Sequence, residues 1–155
     1  MRRRLQQEIQ QSRPFLSSRE EAFLSLLRTA GLLERALGHR LRGDGLTATQ
    51  YNVLRILRGA HPGSLACGAI GARMVTPEPD VTRLLDRLEA RGLLQRERNP
   101  DDRRVVVARI SPNGLELLRR LDQPVLDTIE GLLAGLADDD VERMIELLEK
   151  ARLTE

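Results

Sequence analysis

At Leu93 the hydrophobic period of this chain changes, and that change limits the folds open to it. Up to that point apolar residues recur every three or four positions, as on one face of a helix. Leu93 to Arg98 and Arg104 to Ile110 instead read as two short strands, the second rich in valine. Asn99-Pro100-Asp101-Asp102 reads as the turn between them. Beyond Ile110 the helical spacing returns. The expected fold class is therefore mainly α with a small β-hairpin (α+β).

The helices can be placed by their ends. Ser17-Ser18 ahead of Arg19-Glu20-Glu21 supplies a serine cap and first-turn acids to a long helix. Phe23, Leu26, Leu27, Ala30, Leu33, Leu37 and Leu41 form its stripe, and Gly43-Asp44-Gly45 ends it. Thr47 and Gln50 have the spacing of a capping box and open a second helix, which His61-Pro62-Gly63 stops. Ser64 is expected to cap a short third helix through Leu65, Ile70 and Met74. Thr76-Pro77-Glu78 reads as the cap and first turn of a fourth, with Pro79 also tolerated there because first-turn N–H groups have no helical partner. Val81, Leu84, Leu85 and Leu88 face inward on this helix, Thr82, Arg83, Asp86 and Arg87 outward, and Gly92 is the expected left-handed residue after its end. Ser111-Pro112-Asn113-Gly114 opens a long helix to Leu133, and Asp138-Asp139-Asp140 a last one. Residues 1–13 are polar and read as frayed or as a weak helix start.

Three short helices followed by a hairpin make a winged helix-turn-helix. The expected boundaries are an N-terminal arm and dimerisation helix over 1–45, the winged unit over 46–111 and dimerisation helices over 112–155. The terminal helices carry more apolar surface than a winged unit needs, which predicts a homodimer.

Composition narrows the function. A chain of 155 residues, 41% hydrophobic and 31% charged, is globular, and a monomer of this size is expected to bury about 70% of its unfolded surface. A single cysteine excludes an internal disulfide and a CxxC zinc site. His39 and His61 stand apart with no partner at ligand spacing, so no metal is expected. No Ser/His/Asp grouping or carboxylate pair announces catalysis, and Gly68, Gly71 and Ala72 do not follow an expected strand, which argues against a nucleotide loop. No cofactor and no enzyme activity are expected. No apolar run approaches the roughly 20 residues of a membrane span, and Met1-Arg2-Arg3-Arg4 is not followed by an apolar signal core, so the expected location is the cytoplasm. The net charge of +2 is segregated: residues 1–50 and 51–109 each carry an excess of four positive charges, residues 110–155 an excess of six negative ones. All the basic residues but Lys150 are arginine, whose planar fork of donors suits phosphate and base edges. A GC-rich genome is an equal explanation for the arginine preference, though not for the segregation.

The stretch Val81 to Leu94 resembles the recognition helix of the MarR family of bacterial transcription regulators. Asp101-Asp102-Arg103-Arg104, the strand to Ile110 and Ser111-Pro112-Asn113-Gly114 resemble that family's wing signature, with Ile110-Ser111 in place of the usual Leu-Thr. Leu46-Thr47 through Tyr51 and Leu54 resembles the start of the family's second helix. Pro77, Pro79 and the acids Glu78 and Asp80 at the head of the recognition helix depart from the pattern. The resemblance covers about residues 25–150. It implies a homodimeric repressor of a pseudo-palindromic double-stranded operator, released by a small aromatic or anionic ligand.

On this reading Thr76, Pro77, Pro79, Thr82, Arg83, Arg87, Arg103 and Arg104 are the candidate DNA-binding residues. Arg83 is placed to read a guanine, Thr82 a thymine methyl or a phosphate, and Arg87 a phosphate. The alternative for each arginine is a solvated face or an ion pair with Asp80, Asp86 or Asp101. Asp102 and Arg104, two apart in an extended strand, share one side, so the carboxylate positions the guanidinium for a narrow minor groove; Arg103 points away. Phe15, Phe23, His39 and Tyr51 are the candidate ligand-pocket residues, with core or interface packing the alternative. Cys67 is read as a small packed residue; the family's oxidant-sensing cysteine lies in the first long helix, where Phe15 and Phe23 stand, so peroxide sensing through Cys67 is a lesser alternative. A winged-helix protein–protein module is the competing function.

Overall fold

The computed structural model describes residues 4–100 and 102–153. Among these residues seven helices and three strands follow one another as α1 (Arg4–Glu8), α2 (Ser18–Arg42), α3 (Ala48–Ala60), β1 (Leu65–Ala66), α4 (Cys67–Ala72), α5 (Val81–Ala90), β2 (Leu94–Arg98), β3 (Val106–Ile110), α6 (Pro112–Leu133) and α7 (Asp138–Arg152). The mainly helical fold with a small antiparallel sheet agrees with the expectation.

The helix ends show why. The Ser17 side chain accepts the Glu20 amide at the head of α2. At the head of α3, Thr47 Oγ1 accepts the Gln50 amide at 3.1 Å while Gln50 Oε1 accepts the Thr47 amide at 3.0 Å. These two bonds satisfy two otherwise orphaned donors on a helix whose Val53, Leu54 and Leu57 are fully buried. Thr47→Ala is expected to cost ~1 kcal/mol and lower the melting temperature by about 2–4 °C, with Thr47→Ser close to wild type. An unchanged melting temperature in the alanine variant speaks against the cap. After α5, Gly92 has φ +67°; its amide meets the Glu89 carbonyl and the Leu93 amide reaches the Leu88 carbonyl, a Schellman closure. The Arg91 guanidinium then donates to the Gly45 and Asp44 carbonyls at 2.6 and 3.0 Å, tying this end of α5 to the α2–α3 turn.

Several expectations are corrected. Leu65-Ala66 is a strand, not helix: it pairs antiparallel with Ala108-Val107, giving a three-stranded sheet of order β1-β3-β2. The third helix starts only at Cys67, behind Ala66, and Ser64 caps nothing there. Gly68 and Gly71 thus do follow a strand, but they lie within α4, where a Cβ on Gly71 would meet Val81 at 3.3 Å: the small residue lets α4 and α5 approach. The fourth helix begins at Val81, not Thr76. Pro79 drives Glu78 toward extended backbone, so Asp80 becomes the cap, its Oδ1 accepting the Arg83 amide at 2.9 Å. The second wing strand begins at Val106, not Arg104.

The core joins the winged unit to the first half of α6 and the end of α2. Leu54, Leu57, Ile70, Leu85, Leu88, Leu94, Leu118 and Leu121 are fully buried, joined by Leu41 at the end of α2. No residue of α7 is buried, and Phe23, Leu27, Leu126, Ile145 and Leu147 on the terminal helices stay exposed. The accessible surface is 11355 Å², so the chain buries only a little over half of its unfolded surface, short of the ~70% expected of a compact monomer. Among the described residues no helix is long and apolar enough to cross a membrane.

Candidate nucleic-acid interface

Helix α5 sorts its residues by face. Leu84, Leu85 and Leu88 are buried against the core, and Thr82, Arg83, Asp86 and Arg87 are exposed. Among the described residues neither Arg83 nor Arg87 has an ion-pair partner. Of the acids expected to compete for them, Asp80 caps the helix, Asp86 pairs with Arg96, and Asp101 lies outside the described residues. Thr76, Pro77 and Pro79 are exposed in the segment before α5 rather than in its first turn. Two prolines shorten the segment's conformational menu, since each fixes its own φ and restricts the residue before it.

The wing carries the second constellation. Arg104 Nε and its own backbone N–H both donate to Asp102 Oδ1, at 3.1 and 3.0 Å. The pair thus forms across a tight Asx turn, not along an extended strand. The carboxylate holds the first atoms of a guanidinium whose side chain is 91% exposed. The bonds from Arg104 keep the Asp102 carboxyl below its ordinary range, so the carboxylate stays charged at neutral pH. Arg103 is exposed, and its carbonyl accepts Arg98 Nη1 at 3.3 Å, which closes the hairpin tip. Arg96 on β2 joins wing and helix, binding Glu89 and Asp86 at once. Nothing local pointed to Arg96: it is seven residues from Glu89 and ten from Asp86, across the reversal at Gly92, and only the packing of strand on helix brings them together.

A cleft of about 380 Å³ opens between α2, α3, α6 and the segment leading to α5. Leu33 and Leu37, Tyr51 and Arg55, and Leu132 line its sides. Met74, Val75 and Thr76 close one wall, with the Val75 amide donating to Asn52 Oδ1 at 3.0 Å. Burial raises the Tyr51 hydroxyl above its ordinary pKa, partly opposed by Arg55, whose guanidinium lies 5.9 Å from the Tyr51 ring centre. Of the four expected pocket residues only Tyr51 lines this cleft. Phe15 is half-buried before α2, while Phe23 and His39 lie exposed on α2. Asn52 and Arg55 escaped the sequence reading because their spacing on α3 follows no ligand motif. Cys67 is half-buried, its Sγ donating to the Val106 carbonyl at 3.5 Å. No three His, Cys, Asp or Glu side chains among the described residues are grouped to hold a metal.

These features coincide with known relatives. A sequence model of the MarR family matches residues 46–106. The chain is 31% identical over 118 residues to the multiple antibiotic resistance protein MarR of Salmonella typhimurium, covering 76% of this chain and 81% of that protein. It is 40% identical to a MarR transcription factor from Planctomyces limnophilus, whose crystal structure matches 88% of this chain and 98% of its own with a TM-score of 0.69. The fold also matches Sco3205, a MarR family regulator from Streptomyces coelicolor solved in complex with DNA, at 23% identity, a TM-score of 0.81 and coverage of 92% and 91%. The Planctomyces protein is a transcription factor and the Streptomyces protein a transcriptional regulator. The winged unit, the wing signature and these similarities together establish that the chain belongs to the MarR family of transcriptional regulators.

Proposed function

We propose that this regulator is a repressor that binds a pseudo-palindromic double-stranded operator as a homodimer in the cytoplasm and is released by a small aromatic or anionic ligand. The observation that carries the DNA reading is the outward face of α5: Thr82, Arg83 and Arg87 are exposed, and both guanidiniums lack an ion pair among the described residues. Arg83 reads a guanine edge in the major groove and Arg87 grips a phosphate. Thr82 meets a thymine methyl or a phosphate, and Thr76, Pro77 and Pro79 border the groove ahead of the helix. Arg104, aimed by Asp102, enters the adjacent minor groove with Arg103 on the flanking backbone. Sco3205, which shares the fold, is known in complex with DNA.

The dimer reading is supported by surface. About 7,900 Å² is expected for a compact monomer of this mass, well below the observed 11355 Å². Exposed apolar residues such as Phe23, Leu27, Leu126 and Ile145 stand on helices within 1–45 and 112–155, which we assign to dimerisation, leaving 46–111 as the DNA-binding unit. Two-fold symmetry then sets half-sites about 10 bp apart, centre to centre. The ligand reading is supported by the cleft: its volume falls in the range of small-molecule sites, Arg55 supplies a cation, and Met74–Thr76 link it directly to the head of α5.

Duplexes enriched from a random library test the assignment by fluorescence anisotropy at two salt concentrations. The wild type is expected to bind selectively and with steep salt dependence. Arg104→Ala is expected to bind roughly tenfold more weakly. Selective binding untouched by the substitution removes the wing from the interface. No selectivity at all favours a protein–protein module.

A further inference from the structure

The outward face of α5 holds one acid among its bases. Asp86 lies three residues beyond Arg83, the spacing at which a carboxylate and a guanidinium on a helix surface meet. Left free, it would pair with Arg83 and repel nearby phosphates. The described residues show no such pair. Instead Arg96 Nη2 donates to Asp86 Oδ1 at 2.5 Å and to Glu89 Oε2 at 2.8 Å. Arg96 Nε donates to Glu89 Oε2 and its backbone N–H to Glu89 Oε1, both at 2.9 Å. The Arg96 side chain is only 20% exposed and Asp86 is 54% exposed. Three of the four bonds go to Glu89, so Arg96 is anchored there and its remaining bond holds Asp86.

We propose that Arg96 is a positioning residue that draws the Asp86 carboxylate toward the wing and so keeps Arg83 unpaired and available to nucleic acid. This rests on the DNA-binding reading above. Arg96 acts through Asp86, and the same guanidinium that braces helix against wing also clears the reading face of a competing acid. The bonds from Arg96 hold the Glu89 carboxyl below its usual range, so the anchor stays charged at neutral pH.

The test uses the full chain as wild type, Arg96→Met, Asp86→Asn and the double variant, each titrated against the same enriched duplex and melted thermally. Methionine keeps the apolar stem and removes the charge. Arg96→Met is expected to weaken selective binding about tenfold. The double variant is expected to return to within about twofold of wild type, and Asp86→Asn alone to bind at least as tightly as wild type. A purely structural role for Arg96 predicts no such recovery, since the double variant lacks the brace as completely as the single one. Wild-type affinity in Arg96→Met overturns the proposal, as does a loss that Asp86→Asn does not repair. If Arg96→Met fails to fold, Asp86→Asn decides alone: weaker binding means that Asp86 contributes to recognition instead of obstructing it, and the proposal falls. A wild type that selects no duplex overturns the DNA-binding reading itself, an outcome seen before any substitution is compared.

Discussion

Gly114→Ala is expected to destabilise the protein by about 3 kcal/mol or more. Gly114 sits in the first turn of α6, where a Cβ would collide with the Leu93 carbonyl oxygen and come within 2.8 Å of Ile110 Cγ1. Neither neighbour can yield. The Leu93 carbonyl accepts the Ser111 amide at 3.1 Å, Ser111 Oγ donates to the Gly92 carbonyl at 2.6 Å, and Ile110 is buried in the sheet. Space, not a special φ, makes this position glycine. Thermal unfolding at fixed protein concentration should show a fall of at least about 6–12 °C. Gly59→Ala is the control: its Cβ meets nothing within 4 Å, and alanine is the better helix former. Equal melting temperatures for the two variants would show that α6 can shift off Leu93.

The second large effect concerns the proposed dimer. Leu126→Asp combined with Ile145→Asp is expected to yield a monomer that binds the full operator about 100-fold more weakly, because each half-site must then be bound without the other. Both residues are exposed in the single chain, Leu126 on α6 and Ile145 on α7, so the fold of the winged unit should change little. Sedimentation gives the assembly state and anisotropy the affinity. A double variant that remains dimeric with full affinity would remove these helices from the interface. A monomer with full affinity would instead separate DNA binding from dimerisation.

Much of this architecture was written in short-range signals. The Thr47–Gln50 box, the Ser17 and Ser111 caps, the left-handed Gly92 and the stripe Leu84-Leu85-Leu88 each act within one or two helical turns. The helix start at Val81 was also locally encoded, since Pro79 disfavours helix at Glu78 and Asp80 is a strong cap; the Thr76-Pro77 signal competed with it. The Asp102–Arg104 pairing could be anticipated, but not the turn that makes it.

What the chain determined by itself is therefore the identity and approximate extent of its helices, the wing, and the arginine-rich outer face of the helix before it. These follow from periodicity and capping, whose energies arise between residues a few positions apart. Tertiary structure alone decided the two-residue strand β1, which exists only because β3 lies beside it. It likewise decided the cleft behind Met74–Thr76, the Arg91 bridge to the α2–α3 turn, and the capture of Asp86 by Arg96. Each of these depends on groups distant in sequence meeting at hydrogen-bond range, and that meeting is set by how the core packs the elements together.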